Sequence, residues 1–593
     1  MIRLFALFLL VAMFTQCTTK TAVDSLLING TVYTVDSNFS KTEAVAVKDG
    51  KIVATGTTAE LMQAYKAKEV VDLQGKFLYP GFIDAHAHFY RYGLGLRTVD
   101  LTGTTSWTEC LERLQKRAAE QTLETGEWLI GRGWDQNDWE VKEFPTNDSL
   151  NKLFPANPVL LTRVDGHGAV VNDLALRQAG ITAQTKLTGG DVFVVNGKPT
   201  GVLIDNAIDL VSAKIPAATT EQITEGLVAA QKNCFAAGLT SVVDCGLDYT
   251  DVLNIEKANK SGVLKMRMYV MLSDAKKNYD AIFERGKIKT DRLNVRSFKV
   301  YGDGALGSRG ACLLEPYADK PGHTGFLLSD PVHFDSVAAV LYAKGFQMCT
   351  HAIGDSGNRA ILNIYGKYLK ETNDLRWRIE HAQVVNENDF NLFGKYSIVP
   401  SVQPTHATSD MYWAEQRLGP NRVKGAYAFN DLLKQNNWIP LGTDFPVEDI
   451  DPLKTFYAAV FRRDAKGWPE QGYQTENALT REATLRGMTI WAARSCFEEN
   501  EKGSLEKGKF ADFIILDKDL MKADEKDLLN IKVLMANSFN SGSKSRGFST
   551  LRTLRKCFVN SNAEITNRNC MLLLKSTITY AMAAIKPDAI RKV

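Results

Sequence analysis

Two histidines one residue apart, His86 and His88 in the run PGFIDAHAH (80–88), are the first side chains in this chain placed to do chemistry together. The Pro80-Gly81 pair predicts a turn, and the apolar Phe82 and Ile83 predict a strand behind it. Residues i and i+2 of a strand project from one face, so both imidazoles would converge on one point. A buried imidazole needs partners for its ring nitrogens, and two on one face call for a shared one, as a metal ion would be. Alone, such a pair is more often a surface loop that happens to hold two histidines. Four more polar residues, each closing an apolar run, shift the balance: Lys299 in SFKVYGDG, His351 in MCTHAIGD, His381 in RIEHAQ and Asp444 in LGTDFPV. Any one of them has an ordinary explanation, a solvated lysine or an aspartate capping a helix. Four His, one Lys and one Asp together, including half of the eight histidines in the chain, are hard to explain by packing.

The elements that must position these residues alternate between strand and helix signals, the pattern of βα units around a parallel sheet. The helix signal after Thr220 stops at Gly238, and the strand TSVVDCG follows at once. MRMYVML, SFKVYGDG, FQMCTHAIGD, WRIEHAQVV, SIVPSVQP and WIPLGTDFP continue the series. With the HxH strand these make eight, the number that closes a TIM barrel, whose active sites form at the C-terminal strand ends. The expected fold is therefore an α/β (β/α)8 barrel over residues 79–500. Residues from about 100 to 220 exceed a single βα loop and hold strands of their own, WLIGRGWDQ and PVLLTRVDG, so they read as an inserted subdomain over the barrel mouth. SLLINGTVYTVD and AVAVKDGKIVATG alternate around Asn29-Gly30 and Asp49-Gly50 hairpin signals. GSLEKGKFADFIILD has the same texture near the other end. A β-sandwich built from both chain ends, 24–78 and 502–535, is expected.

PGFIDAHAH, GRGWDQNDW, VDGHGAVVN, KVYGDGALGSRGA, HAIGD, IEHAQ, GTDFPV and GSLEKGKFADFIILD in series resemble the amidohydrolase superfamily, and most closely its YtcJ-like branch, amidohydrolase family 3, which includes N-substituted formamide deformylases. The resemblance runs from about Leu26 to Asp517. It implies a barrel with a flanking sandwich and one or two divalent metal ions, usually zinc. His86 and His88 would bind the first metal and His351 and His381 the second. Lys299, carboxylated by CO2 to a carbamate, would bridge them, and Asp444 would touch the first metal and act as acid/base. Imidazole and carboxylate suit zinc, and bound zinc brings water to hydroxide near neutral pH. The implied reaction is attack of that hydroxide on an amide-like carbon, cleaving a non-peptide C–N bond of a small molecule.

His167 in VDGHGAVVN, and Asp303 and Arg309 in DGALGSR, are further candidates for contact with substrate. Trp134, Trp139 and Cys349 read as core, and His323, His333 and His406 as surface or supporting residues. A catalytically silent barrel that binds a small molecule is the competing reading, and the presence of all six ligand-type residues favours the enzyme.

The chain of 593 residues, 45% hydrophobic, can bury a large core, and its nine cysteines form no CxxC pairs. A formal net charge of +3 conceals an uneven distribution. Residues 541–593 carry ten Lys/Arg against Glu564 and Asp588, leaving the rest mildly acidic and giving nucleic acid no support as a partner. Residues 1–17 read as a signal peptide: Arg3, an apolar core from Leu4 to Phe14, then Cys17. Cys17 resembles the acylated cysteine of bacterial lipoproteins, although Gln16 stands where a small residue is usual and a plain signal peptide is the alternative. Either leader sends the protein to the cell envelope or periplasm, with the lipid as its link to the membrane, and a homodimer is compatible with the fold. Residues 536–593, basic and rich in Ser and Asn, read as a disordered tail or a frameshift product. No strand pair finishing the sandwich is legible after Asp517.

Overall fold

The structure, a computed structural model, describes residues 20–121 and 123–538. The leader with Cys17, and the tail beyond Ser538, lie outside the described residues.

Seven parallel strands form the barrel wall: β1 (Phe82–Ala87), β2 (Leu239–Leu247), β3 (Arg267–Ser273), β4 (Leu293–Tyr301), β5 (Gln347–Ala352), β6 (Arg378–His381) and β7 (Val399–Ser401). Each is buried almost throughout, the pattern of a parallel sheet covered on both faces. The eighth expected strand, WIPLGTDFP, is not a regular strand. Residues 439–444 make one parallel bridge, Val402 to Leu441. On the other side they bond to β1, Leu441 O accepting from Ala85 N at 3.2 Å and His86 O from Asp444 N at 2.8 Å. Pro440 has no N–H to give a ladder, and the positive φ of Asp444 (63°) turns the chain out of extension. The ring is closed nonetheless.

Between the strands run helices whose ends follow local rules. Thr219 caps Thr220–Ala236 in a capping box with Gln222, and Gly238 leaves it at φ 88°. That helix crosses Phe89–Gly95, which follows β1, at Gly93 and Gly226. A Cβ on Gly93 would lie 2.7 Å from the Gly226 carbonyl oxygen, so only glycine allows the approach.

The inserted segment carries a six-stranded mixed sheet from Val99–Asp100 to Lys198–Asp205. Its own core holds Trp134 and Trp139, whose indole N–H groups donate to Leu161 O (2.8 Å) and Thr104 O (3.0 Å). Two further sheets flank the barrel. One contains the Asp49-Gly50 hairpin, with φ 51° and 74° at the two turn residues, as a type I′ turn requires. Asn29-Gly30 differs from expectation: it links Thr21–Ile28 in one sheet to Thr31–Tyr33 in the other, so it is a crossing and not a hairpin. VVDLQGKFLYPG likewise divides at Gly75 into two strands of different sheets. The finishing strand that the sequence hides is Val533–Asn537. It pairs antiparallel with Phe513–Leu516, which pairs with Phe77–Pro80, so sheet structure runs two residues past the expected boundary at 535. Lys532 N bonds Asp517 Oδ1 (2.7 Å) across a long connection, where no short turn signals the return.

Candidate metal centre

The C-terminal ends of β1, β4, β5, β6 and the 439–444 segment bring His86, His88, Lys299, His351, His381 and Asp444 to one floor. Above it opens a cavity of about 700 Å³, roofed by the inserted subdomain and the loops after the strands.

Each imidazole on the floor is oriented from behind. His86 Nδ1 lies 2.5 Å from Glu380 Oε2, and Glu380 is held by Arg378 Nε at 2.6 Å. Both charged groups are fully buried, and the guanidinium holds the Glu380 carboxyl far below the ordinary range. His88 Nδ1 donates to Cys245 O (3.0 Å) and His381 Nδ1 to Gln403 Oε1 (2.8 Å). With Nδ1 protonated in all three, the Nε2 lone pairs turn to the floor. His351 is placed oppositely: its Nε2 faces Gly304 O at 3.4 Å, leaving Nδ1 as its free nitrogen.

Asp444 Oδ1 faces two of these lone pairs, on His88 Nε2 at 3.1 Å and His86 Nε2 at 3.6 Å, and this buried oxygen has no hydrogen-bond donor among the described residues. Burial holds His88 down to about 4, so at neutral pH its one proton stays on Nδ1 and Nε2 brings none to Asp444. Two nitrogen lone pairs and a carboxylate oxygen facing one another need a cation between them. His86, His88 and Asp444 form one such group, with its donor atoms within 4.8 Å of one another; His381, His406 and Asp444 are as close, but there both His406 nitrogens face carboxylates. The residues present fit a divalent ion. Lys299 Nζ is 3.3 Å from His86 Nε2, buried, and meets no carboxylate at ion-pair distance among the described residues. His351 belongs to neither group, although its ring lies 4.6 Å from that of His381.

His406, read from the sequence as a supporting residue, reaches the centre itself. Its Nε2 is 3.3 Å from Asp444 Oδ2 and its Nδ1 3.0 Å from Glu448 Oε1, and the two carboxylates raise its pKa well above the ordinary value. It follows β7 in QPTH, one turn into a helix, where no strand-end pattern marks it. Glu380 and Arg378 were also missed; a charged pair at i, i+2 in a short, fully buried strand was their signal.

The three candidates for substrate contact separate. His167 faces the cavity, its ring 5.1 Å from that of His351 and its Nδ1 2.5 Å from Asp205 Oδ1. Asp303 spends its oxygens on the backbone N–H groups of Cys312 (2.8 Å), Ile353 (2.9 Å) and Gly354 (2.8 Å). It fixes the loop ends after β4 and β5 and is turned away from the cavity. Arg309 pairs with Asp319 at 2.9 Å and does not line the cavity. The left-handed backbone at Arg309 (φ 63°) belongs to a turn whose carbonyl accepts from His323, so sequence proximity to Lys299 misled.

Residues 69–536 match the model of the amidohydrolase family. This chain belongs to that family. Protein LONG AFTER FAR-RED 3 of Arabidopsis thaliana is 34% identical over 83% of this chain and 87% of its own. N-substituted formamide deformylase of Arthrobacter pascens is 26% identical, over 86% and 96%. Among solved structures, an uncharacterized metal-dependent hydrolase from Pyrococcus horikoshii superposes with a TM-score of 0.70 at 28% identity, covering 85% of this chain and 99% of that one. Membership makes the chain a metal-dependent hydrolase by family.

Proposed function

We propose that this protein hydrolyses an amide-like, non-peptide C–N bond of a small molecule. The observation that carries the reading is Asp444 Oδ1, buried among imidazole lone pairs without a donor. A divalent ion there, zinc by its donor set, would supply acidified water and a polarised carbonyl. His86, His88 and Asp444 would hold one ion. His351 and His381 would hold a second, with Lys299 as a bridging carbamate. The neutral amine of Lys299 would form an N–C bond to CO2 and release one proton, turning a nitrogen side chain into an anionic oxygen donor.

The chain's own groups then divide the work. Asp444, which burial would push up but which protonated His406 helps hold as a carboxylate well below its ordinary range, takes the proton of the attacking water and passes it to the leaving nitrogen. Protonated His406, anchored on Glu448, fixes the Asp444 carboxylate by its second oxygen. Glu380 keeps the His86 tautomer, and His167 faces the substrate from the inserted subdomain. The deformylase relative supports C–N chemistry, and N-formyl amines belong in the first panel of substrates.

Metal content of the purified protein beside Lys299→Ala tests the centre. About two ions per chain, falling sharply in the variant, support the carbamate bridge. One ion, unchanged in the variant, removes Lys299 from coordination. No ion under metal-replete conditions would leave a binding module in place of an enzyme. The same reading has the protein exported and anchored through Cys17; Cys17→Ser moving it from the membrane to the soluble fraction checks the anchor.

A further inference from the structure

Two guanidinium groups reach the cavity without a carboxylate at ion-pair distance among the described residues. Arg91, on Phe89–Gly95 three residues after His88, donates through Nη2 to Gly246 O at 3.2 Å. Arg132 comes from the inserted subdomain, on Leu129–Trp134, and its Nη2 donates to Val164 O at 2.9 Å. Its Nε is buried with no partner at all. Both residues line the cavity onto which His88 and Asp444 open. Tyr301, and after it Asp244, Asp209 and Asp251, act on Arg91 through space, yet none of these carboxylates comes within ion-pair distance.

Several other charges around the cavity are engaged. Arg163 is held between Asp135 and Asp165 and bonds Gln136. Glu448 serves His406, Asp449 pairs with Lys454, and Asp410 accepts from Tyr427. Arg91 from the barrel and Arg132 from the insertion therefore stand out as two cations lining one cavity; Asp444 and Asp165 act on Arg132 through space, yet neither forms an ion pair with it. Burying a cation is costly unless an anion meets it, and the planar fork of a guanidinium matches a carboxylate.

We propose that Arg91 and Arg132 form the subsite for a carboxylate carried by the substrate, so that the preferred substrates are N-acyl derivatives of amino acids or similar acids. The inference rests on the hydrolase reading above and narrows its substrate class. One negative charge suits the site better than the two of a phosphate, because Asp444 and Asp138 border the same cavity. The inserted subdomain is then a source of specificity through Arg132.

The test compares an N-formyl or N-acetyl amino acid with its neutral C-terminal amide, in the wild type, Arg91→Gln, Arg132→Gln and Arg132→Lys. The expected result is a preference of tenfold or more in kcat/KM for the acid, carried mainly by KM. Each Gln variant should lose most of that preference while changing kcat/KM for the neutral amide less than about threefold, and Arg132→Lys should keep part of it. Equal turnover of acid and amide by the wild type overturns the subsite and leaves the hydrolase reading standing, as does an equal fall for both substrates in the Gln variants. If neither compound is turned over, the hydrolase reading fails for this class. The subsite is then judged by calorimetric binding of the same pair to wild type and Arg132→Gln: tighter binding of the acid, lost in the variant, supports it, and equal affinities overturn it.

Discussion

Asp444 is the residue on which the proposed chemistry turns, and Asp444→Asn separates its two tasks. A neutral amide keeps an oxygen for the ion but cannot carry the proton, so turnover should fall by about 10²–10⁴-fold while metal content stays within a factor of two. Normal turnover in the variant would remove the acid/base assignment. Glu380 acts one step further back. Glu380→Gln keeps the volume but removes the charge that fixes the His86 proton on Nδ1. Loss of such a partner weakens metal binding by about 10–100-fold, measurable by competition with a coloured chelator. The six strand-end residues were legible because each ends an apolar run at a place where polarity is costly. His406 was not, since it lies within a helix and meets Asp444 only when the barrel closes. Arg309 shows the reverse: ten residues after Lys299, its side chain is drawn to Asp319 instead.

At the scale of elements, the crossing of Phe89–Gly95 and Thr220–Ala236 joins the first barrel strand to the chain's return from the insertion. Gly226→Ala would put its Cβ 2.8 Å from the Gly93 carbonyl oxygen. Overpacking of that kind costs about 1–3 kcal/mol, which thermal unfolding of the variant should show as a lowered midpoint. Because Arg91 rides on the shorter helix, the variant should also raise KM for an anionic substrate. The helices and the long parallel strands were readable from caps and apolar runs. The 439–444 segment was readable as chain but not as geometry, because a single bridge and the bonds to β1 replace a ladder there. Val533–Asn537 went unread because it lacks alternation and a turn; pairing to Phe513–Leu516 alone makes it a strand.

For the whole molecule, the fold joins distant segments through buried charge. Glu498 sits between Lys289 (2.7 Å) and Lys502 (2.7 Å), and these cations lower its pKa from 4.5 to about 2. The stabilisation is complete above pH 4.5 and is lost as the pH falls from there toward 2, amounting to at most about 3 kcal/mol. Glu498→Gln should lower stability at pH 7 and flatten its decline below pH 4.5, as urea unfolding at several pH values would reveal; an unchanged slope would assign the acid sensitivity elsewhere. Sequence by itself determined the α/β barrel with flanking sheets, because strand period, helix caps and the free-energy cost of buried polarity are all local. Only the tertiary structure decided which lone pairs face Asp444, that His406 and Glu380 belong to the centre, and that Arg91 and Arg132 share one wall. Those relations join side chains tens to hundreds of residues apart, and their distances are set by closure of the barrel and by the insertion lying over its mouth.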